Sequence, residues 1–437
     1  MNYSDAVKKQ LWDIVEDMSK CPWVFSKNPA TDFKRKKKWD MESVMKFMIT
    51  MEGKSMKEEL YKYFEYSDTL PSNSAFNQRR AQLLPEAFEF LFHEFTKSYS
   101  NEMKTSKGYR LIACDGSDLN IARNPDDSET YFKSLQSDKG FNQLHLNALY
   151  DLNSRCYIDA VIQPKRFVNE DMAMCSMIDR YSGSKKTIFI ADRGYESFNI
   201  FAHAERKDVK YLIRVKDIYS NGITSACDLP DTEEFDTRVS LTLTRKQTKE
   251  VKGNPKKYRT IMKATPFDYL DLYTNKYYDI DMRILRFKIS EGNYECIITN
   301  LSEGEFDIKE IRELYHKRWG IETSFRELKY AIGLTCFHSR KADYIKQEIW
   351  ARMVLYNFCE TITTQVSIEK KDTKYDYQLN YTVAIYICRY FLSIKPDRTP
   401  PDVENLISKE LLPVRPGRHD PRKVKPQSTV SFLYRAA

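Results

Sequence analysis

Short apolar runs bounded by turn formers dominate the stretch from Arg110 to Val215, and such runs predict buried strands. Strands are expected at Arg110–Asp115, Gln143–Asp151, Cys156–Pro164, Thr187–Asp192 and Lys210–Val215. Helices are expected from about Asn169 to Tyr181 and from Ser197 to Arg206. Three strands in a meander, then helix, strand, helix, strand, predict an α/β sheet. Strands resume at Arg283–Ile289 and Tyr294–Asn300. Between them, residues 216–281 break the pattern with short alternating segments such as Ser240–Thr244 and turn formers at Gly253-Asn254-Pro255, which predicts a small β-rich insertion. The first hundred residues read as helical. One helix runs from Asp40 to about Met51, a capping box of Ser55 with Glu58 opens a second that runs through Phe64, and Ser74 is expected to cap a third carrying Phe76, Gln78, Arg79 and Arg80. Amphipathic helices are expected at Tyr344–Gln365 and Tyr381–Leu392.

One further segment, Tyr315–Gly333, carries two stripes. As a single helix it places Tyr315, Arg318, Glu322 and Lys329 on one face, at steps of three, four and seven. Leu314, Ile321, Phe325, Leu328 and Ile332 form an apolar stripe about 100° away. One flank can therefore pack on a core while the other presents a carboxylate among cations. Asp307 with Glu310 predicts the N-terminal cap, Gly333 the C-terminal one, and Gly320 a bend. A surface helix with ordinary ion pairs has the same pattern. Two upstream runs change the context. Leu111-Ile112-Ala113-Cys114-Asp115-Gly116-Ser117 and Thr187-Ile188-Phe189-Ile190-Ala191-Asp192-Arg193-Gly194-Tyr195 each predict a central strand that delivers an aspartate to the sheet edge. With Glu322 they make three acids on three elements, a usual source of a metal site.

The ungapped spacing Tyr-x2-Arg-x3-Glu-x6-Lys, together with the Asp-Gly-Ser and Asp-Arg-Gly-Tyr segments in that order, resembles the signature of the bacterial DDE transposases of the fourth insertion-sequence family. Matching segments run from about Phe76 to Arg415-Pro416-Gly417-Arg418. The resemblance implies a cut-and-paste enzyme with a ribonuclease H-like core. Asp115, Asp192 and Glu322 would be its catalytic acids and the ligands of two Mg²⁺ or Mn²⁺ ions, since oxygen donors suit those ions better than zinc. Arg318 and Lys329 would grip phosphates of the terminal DNA, Tyr315 would bond a phosphate or stack on a base, and Arg193 and Tyr195 would add contacts. Partners would be double-stranded DNA, as terminal inverted repeats and target, and a second copy of the chain when two ends are paired. The separation of Asp192 from Glu322, 130 residues, leaves room for the insertion, as in the family branch that forms DNA hairpins. That branch often carries a tryptophan there, and here the five tryptophans lie at 12, 23, 39, 319 and 350, all outside it.

Charge changes the picture where it clusters. The net charge is only +8 over 437 residues, but Lys34-Arg35-Lys36-Lys37-Lys38 are five consecutive cations, read here as phosphate contacts or as a solvated loop. The helices after them suggest a helix-turn-helix-like reader with Arg79 and Arg80 against DNA, a plain helical bundle being the competing view. Eight cations and one acid lie between Arg245 and Lys263, with tyrosines at 258, 269, 273, 277 and 278, which suits distorted or single-stranded DNA or a charged hairpin with its own small core. Arg340 lies in a polar loop expected beside the active face, 369–374 reads as a linker, and the proline- and arginine-containing tail from Pro413 to Pro426 is expected to be extended along DNA or a partner subunit. His145 reads as a packing residue. Nine cysteines without a Cys-x-x-Cys pair are expected to be reduced. No apolar run reaches the roughly 18 residues of a membrane span, and the first residues lack the apolar stretch of a signal peptide, so a cytosolic protein is expected; the resemblance implies a cytoplasmic, nucleoid-associated bacterial one.

The expected organisation is therefore a helical DNA-binding domain (1–100), a ribonuclease H-like core in two parts (101–215 and 282–366), the β-rich insertion (216–281), and a C-terminal helix with a basic tail (367–437). Two other classes share these residues: a nuclease of the same core that cuts without joining, and a DNA-binding protein that has lost catalysis.

Overall fold

The computed structural model describes residues 2–35, 38–133, 140–183, 186–368, 375–395 and 397–414. Five helices come first: α1 (Tyr3–Lys20), α2 (Met41–Thr50), α3 (Met56–Tyr63), α4 (Asn73–Arg80) and α5 (Glu86–Ser98). Then follow β1 (Arg110–Ile121), β2 (Tyr131–Phe132), β3 (Phe141–Asp151), β4 (Cys156–Pro164), α6 (Glu170–Arg180), β5 (Thr187–Ala191), α7 (Phe198–Arg206) and β6 (Lys210–Val215). The next group is β7 (Phe235–Thr244), α8 (Lys249–Gly253), β8 (Tyr258–Thr260), β9 (Tyr277–Ser290) and β10 (Asn293–Thr299). The chain continues through α9 (Ile308–His316), α10 (Trp319–Tyr330), α11 (Ala342–Thr363), β11 (Tyr377–Leu379), α12 (Tyr381–Ser393), α13 (Val403–Lys409) and β12 (Leu411–Pro413).

β1 pairs antiparallel with β3, and β3 with β4, while β5 and β6 add in parallel beside β1. The order β4-β3-β1-β5-β6, with α6 and α7 crossing over, is that of a ribonuclease H-like sheet. The sheet does not stop there. β10, β9, β7 and β8 extend it beyond β6. The stretch expected as a separate insertion thus contributes β7 and β8 to the same sheet, and the expected boundary at 281/282 falls inside β9. Local alternation could show strands in 216–281, but not that β7 would find its partner in β9, some forty residues on.

The boundary at residue 100 is also corrected. Val7, Leu11 and Val15 of α1, Phe47 of α2 and Phe92 of α5 share one apolar core with Ile321 and Phe325 of α10 and with much of α11 and α12. The N-terminal helices close this core rather than forming one of their own. α11, expected to be amphipathic, is buried on every side, polar Gln347, Glu348, Arg352, Asn357 and Glu360 included. It is the axis of the helical layer.

Local signals set most helix ends. Ser55 accepts from the Glu58 amide, and Asp307 and Glu310 close a reciprocal capping box at the start of α9. Ser72, not Ser74, caps α4. The break in the Tyr315–Gly333 segment falls at Lys317–Arg318 between α9 and α10, not at Gly320. Gly320 has a packing reason instead: a Cβ there would lie 3.0 Å from the Leu152 side chain. Gly333 ends the segment as expected, at φ +95°, while the Leu334 amide donates to the Leu328 carbonyl at 3.0 Å. The linker expected at 369–374 and the tail from residue 415 onward lie outside the described residues, as do Lys36 and Lys37.

Candidate active site

Cys114 and Ala191 are the last paired residues of the parallel β1–β5 ladder. The next residue on each strand is an aspartate. Adjacent strands lie about 4.8 Å apart, so Asp115 and Asp192 leave the ladder as neighbours. Asp115 is not at a strand end as expected: β1 runs on to Ile121 against β3, and it is β5 that stops. On this face, Leu111, Ile188 and Ile190 pack with Leu314 and Tyr315, while Ala113 and Leu119 pack with Ile321 and Phe325. The apolar stripe read from the sequence thus seats α9 and α10 across the strands and brings Glu322 over the aspartates. Burial pushes the Asp115 carboxyl up to about 6; the Gly116 amide and Arg318 oppose the shift, and the charges of Asp192 and Glu322 add to it.

Each acid has one oxygen engaged. Asp115 Oδ1 accepts from the Gly116 amide at 2.8 Å, Asp192 Oδ1 from the Gly194 amide at 2.8 Å, and Glu322 Oε1 from Arg318 Nη2 at 2.9 Å. Among the described residues, no cluster of three or more His, Cys, Asp or Glu is close enough to hold a metal ion as it stands. The donor set nevertheless fits a hard dication: three carboxylates, each with a second oxygen, and a repulsion among them that a cation would relieve.

The other expected site residues divide. Arg318 is buried beside the acids, with its guanidinium over Tyr315 and Trp319. Tyr315, expected to bond a phosphate or stack on a base, is only 5 % exposed and its ring packs in the core. Lys329 does not join the Glu322 cluster; its Nζ donates to the Asp118 carbonyl on β1 at 2.9 Å, and burial lowers its pKa. Tyr195, expected to contact DNA, is buried in the core beside Cys114. Arg193 and Arg340 are exposed. Lys34, Arg35 and Lys38 are exposed as well, Lys38 donating to the Thr69 carbonyl at 2.6 Å.

Arg79 and Arg80 are corrected. Arg79 bonds Gln82 and the Arg35 carbonyl, and Arg80 bonds Gln347, Glu348 and the Tyr344 carbonyl, both buried. In the 216–281 stretch, Arg245 binds the carbonyls of Met262, Phe267 and Leu270. Tyr269 and Tyr278 pack on the core, whereas Tyr273 and Tyr277 are exposed beneath Lys263 and Lys246. The nine cysteines are free thiols. No helix among the described residues is long and apolar enough to cross a membrane.

Sequence reasoning missed three residues here. His145, expected merely to pack, has Nδ1 2.7 Å from Asp118 Oδ1 and Nε2 2.8 Å from Glu170 Oε1, the latter an ion pair without good hydrogen-bond alignment. Burial alone would lower its pKa; the two carboxylates outweigh that and raise it to about 9. Asp118 also receives Lys165 Nζ at 2.8 Å. Asp118 stands three residues after Asp115 on one strand, a hint available in the sequence; nothing local linked Glu170 to either.

Fold and site together define a ribonuclease H-like protein with an Asp-Asp-Glu edge. The model of the family described as "Transposase DDE domain" matches residues 106–358, more than half of the chain, and the chain belongs to that family. A cryo-EM structure of a piggyBac transposase synaptic complex with hairpin DNA is similar at 9 % identity and a TM-score of 0.48, covering 95 % of this chain and 87 % of that one. No curated protein matches the chain.

Proposed function

We propose that this chain is a DNA transposase that cuts the ends of an insertion sequence and joins the freed 3′-OH to target DNA. The observation that carries the reading is the emergence of Asp115 and Asp192 side by side at the end of the β1–β5 ladder, with Glu322 above them. Asp115, Asp192 and Glu322 would hold the divalent ions. Bound there, Mg²⁺ or Mn²⁺ supplies an activated oxygen nucleophile and neutralises charge at phosphorus. The chain's own residues do the rest. The Gly116 and Gly194 amides orient the aspartates. Arg318 holds Glu322 through a charge-assisted hydrogen bond and keeps a positive charge beside the acids, where it would favour a phosphate. Arg193, exposed beside Asp192, contacts the DNA backbone. The substrate is double-stranded DNA as terminal repeats and target, the working unit is a pair of subunits on two ends, and the reaction takes place on cytoplasmic DNA. A nuclease of the same core would cut and stop.

The test uses full-length protein and duplexes bearing its own element's ends. A gel shift in Ca²⁺ reads binding, and incubation in Mg²⁺ reads cleavage and, from a pre-cut 3′-OH end, strand transfer. Glu322→Gln, which preserves side-chain volume, should shift DNA normally and lose cleavage, and Asp115→Asn and Asp192→Asn should do the same without additive losses. Cleavage by Glu322→Gln at a rate near wild type would remove it from the site. Cleavage by wild type without strand transfer would leave a nuclease.

A further inference from the structure

We propose that His145 is a positioning residue for the three-acid site: held between Asp118 and Glu170, its imidazole fixes the two glycine backbones that orient Asp115 and Asp192. The inference rests on the transposase reading of those acids. His145 and Asp118 are direct cross-strand partners on β3 and β1. Glu170 is the first residue of α6, so the imidazole ties the strand carrying Asp115 to the helix that crosses over to β5.

The path to the site runs through two glycines. A Cβ on Gly116 would lie 2.4 Å from His145 Nε2 and 2.6 Å from Glu170 Oε1, so the β1 backbone rests directly on this ion pair. A Cβ on Gly194 would lie 3.7 Å from Glu170 Oε2 and 3.0 Å from Asp192 Oδ1. The amides of these same glycines donate to Asp115 and to Asp192. The group at His145 therefore backs the Gly116 donor directly and, through Glu170, lies next to the Gly194 donor. It reaches the third element too, since the Asp118 carbonyl receives Lys329 of α10. Without the imidazole, Asp118 and Glu170 lose the cation between them, and the start of α6 is freed from β1. The two glycine amides then lose their support.

Groups that orient metal ligands are worth on the order of tenfold or more in metal affinity. The experiment titrates full-length protein with Mn²⁺ alone and follows free Mn²⁺ by electron paramagnetic resonance, with thermal unfolding in parallel. The series is wild type, His145→Ala, His145→Gln, Glu170→Gln, the double variant His145→Ala/Glu170→Gln, and Asp192→Asn. Glu170 is partly exposed, so Glu170→Gln is expected to remain folded. We expect about tenfold weaker Mn²⁺ binding for His145→Ala and for Glu170→Gln. The double variant should be no worse than either single one, and His145→Gln should recover part of the loss through one retained hydrogen bond. Folded Glu170→Gln with wild-type affinity overturns the proposal. So does a loss confined to Glu170→Gln with both His145 variants like wild type, because Glu170 would then be a ligand itself. If Asp192→Asn binds Mn²⁺ as wild type does, or wild type binds none, the three-acid reading fails and takes this inference with it.

Discussion

The Arg80 guanidinium lies 2.7 Å from the Glu348 carboxylate, with side-chain exposures of 0 % and 1 %. Burial alone would raise the Glu348 carboxyl, but Arg80 and His338 hold it down at about 2. The pair joins α4 to α11 inside the common core. Removing one partner of a buried pair strands the other charge, at a cost of about 3–5 kcal/mol. Arg80→Ala should therefore lower unfolding stability by that order in a denaturant titration. The salt dependence of DNA binding by the folded fraction should not change; a slope reduced by about one would return Arg80 to the DNA surface.

Asp115 sets a pH dependence. Its carboxyl holds a proton to about pH 6 in the folded chain, against an ordinary value of 3.8. Between those values the folded state binds more protons than the unfolded one, so stability falls as pH rises through the window. Asp115→Asn removes the buried charge and should raise the unfolding midpoint at pH 7 without metal, while leaving it nearly unchanged below pH 4. Saturating Mg²⁺ should stabilise wild type and not this variant. Proton and metal compete for this carboxylate, so the Mg²⁺ concentration needed for half-maximal cleavage should rise as pH falls below about 6. A metal requirement that does not change from pH 5 to 8 would separate Asp115 from the metal.

Lys34, Arg35 and Lys38 are exposed between α1 and α2. Replacing all three with alanine should weaken DNA binding and reduce the log–log salt slope by about 0.9 for each phosphate that is no longer neutralised. Filter binding across a salt series reads it, and an unaltered slope would mean that these side chains are only solvated.

Among the tyrosines of the 216–281 stretch, exposure separates two sets. Tyr273→Ala and Tyr277→Ala should leave the melting temperature in place and weaken binding to single-stranded or hairpinned DNA by roughly 1–3 kcal/mol for each base that loses its stacking platform. Tyr269→Ala and Tyr278→Ala should instead lower the melting temperature, because those rings pack on Phe267 and beneath Arg206. Equal DNA affinity for wild type and the first pair would make this stretch purely structural.

What the sequence by itself determined is local or periodic. Apolar runs placed Cys156–Pro164 and Lys210–Val215 at their observed bounds. Capping chemistry set the starts of α3 and α9, and the Leu314–Ile332 stripe marked the face that seats α10. Spacing singled out Asp115, Asp192 and Glu322, which the tertiary structure brings to one edge. The tertiary structure alone decided which charges face inward. An arginine after a helix cap has the same sequence signature whether it meets a phosphate or the Glu348 carboxylate 268 residues on, and only the packing of α4 against α11 made Arg80 internal. The same holds for α11, expected to be amphipathic, whose Gln347, Arg352 and Glu360 are enclosed by partners from distant segments. It holds for His145 as well: whether a strand histidine packs or bridges depends on carboxylates brought in by another strand and a helix, a juxtaposition that no local pattern encodes.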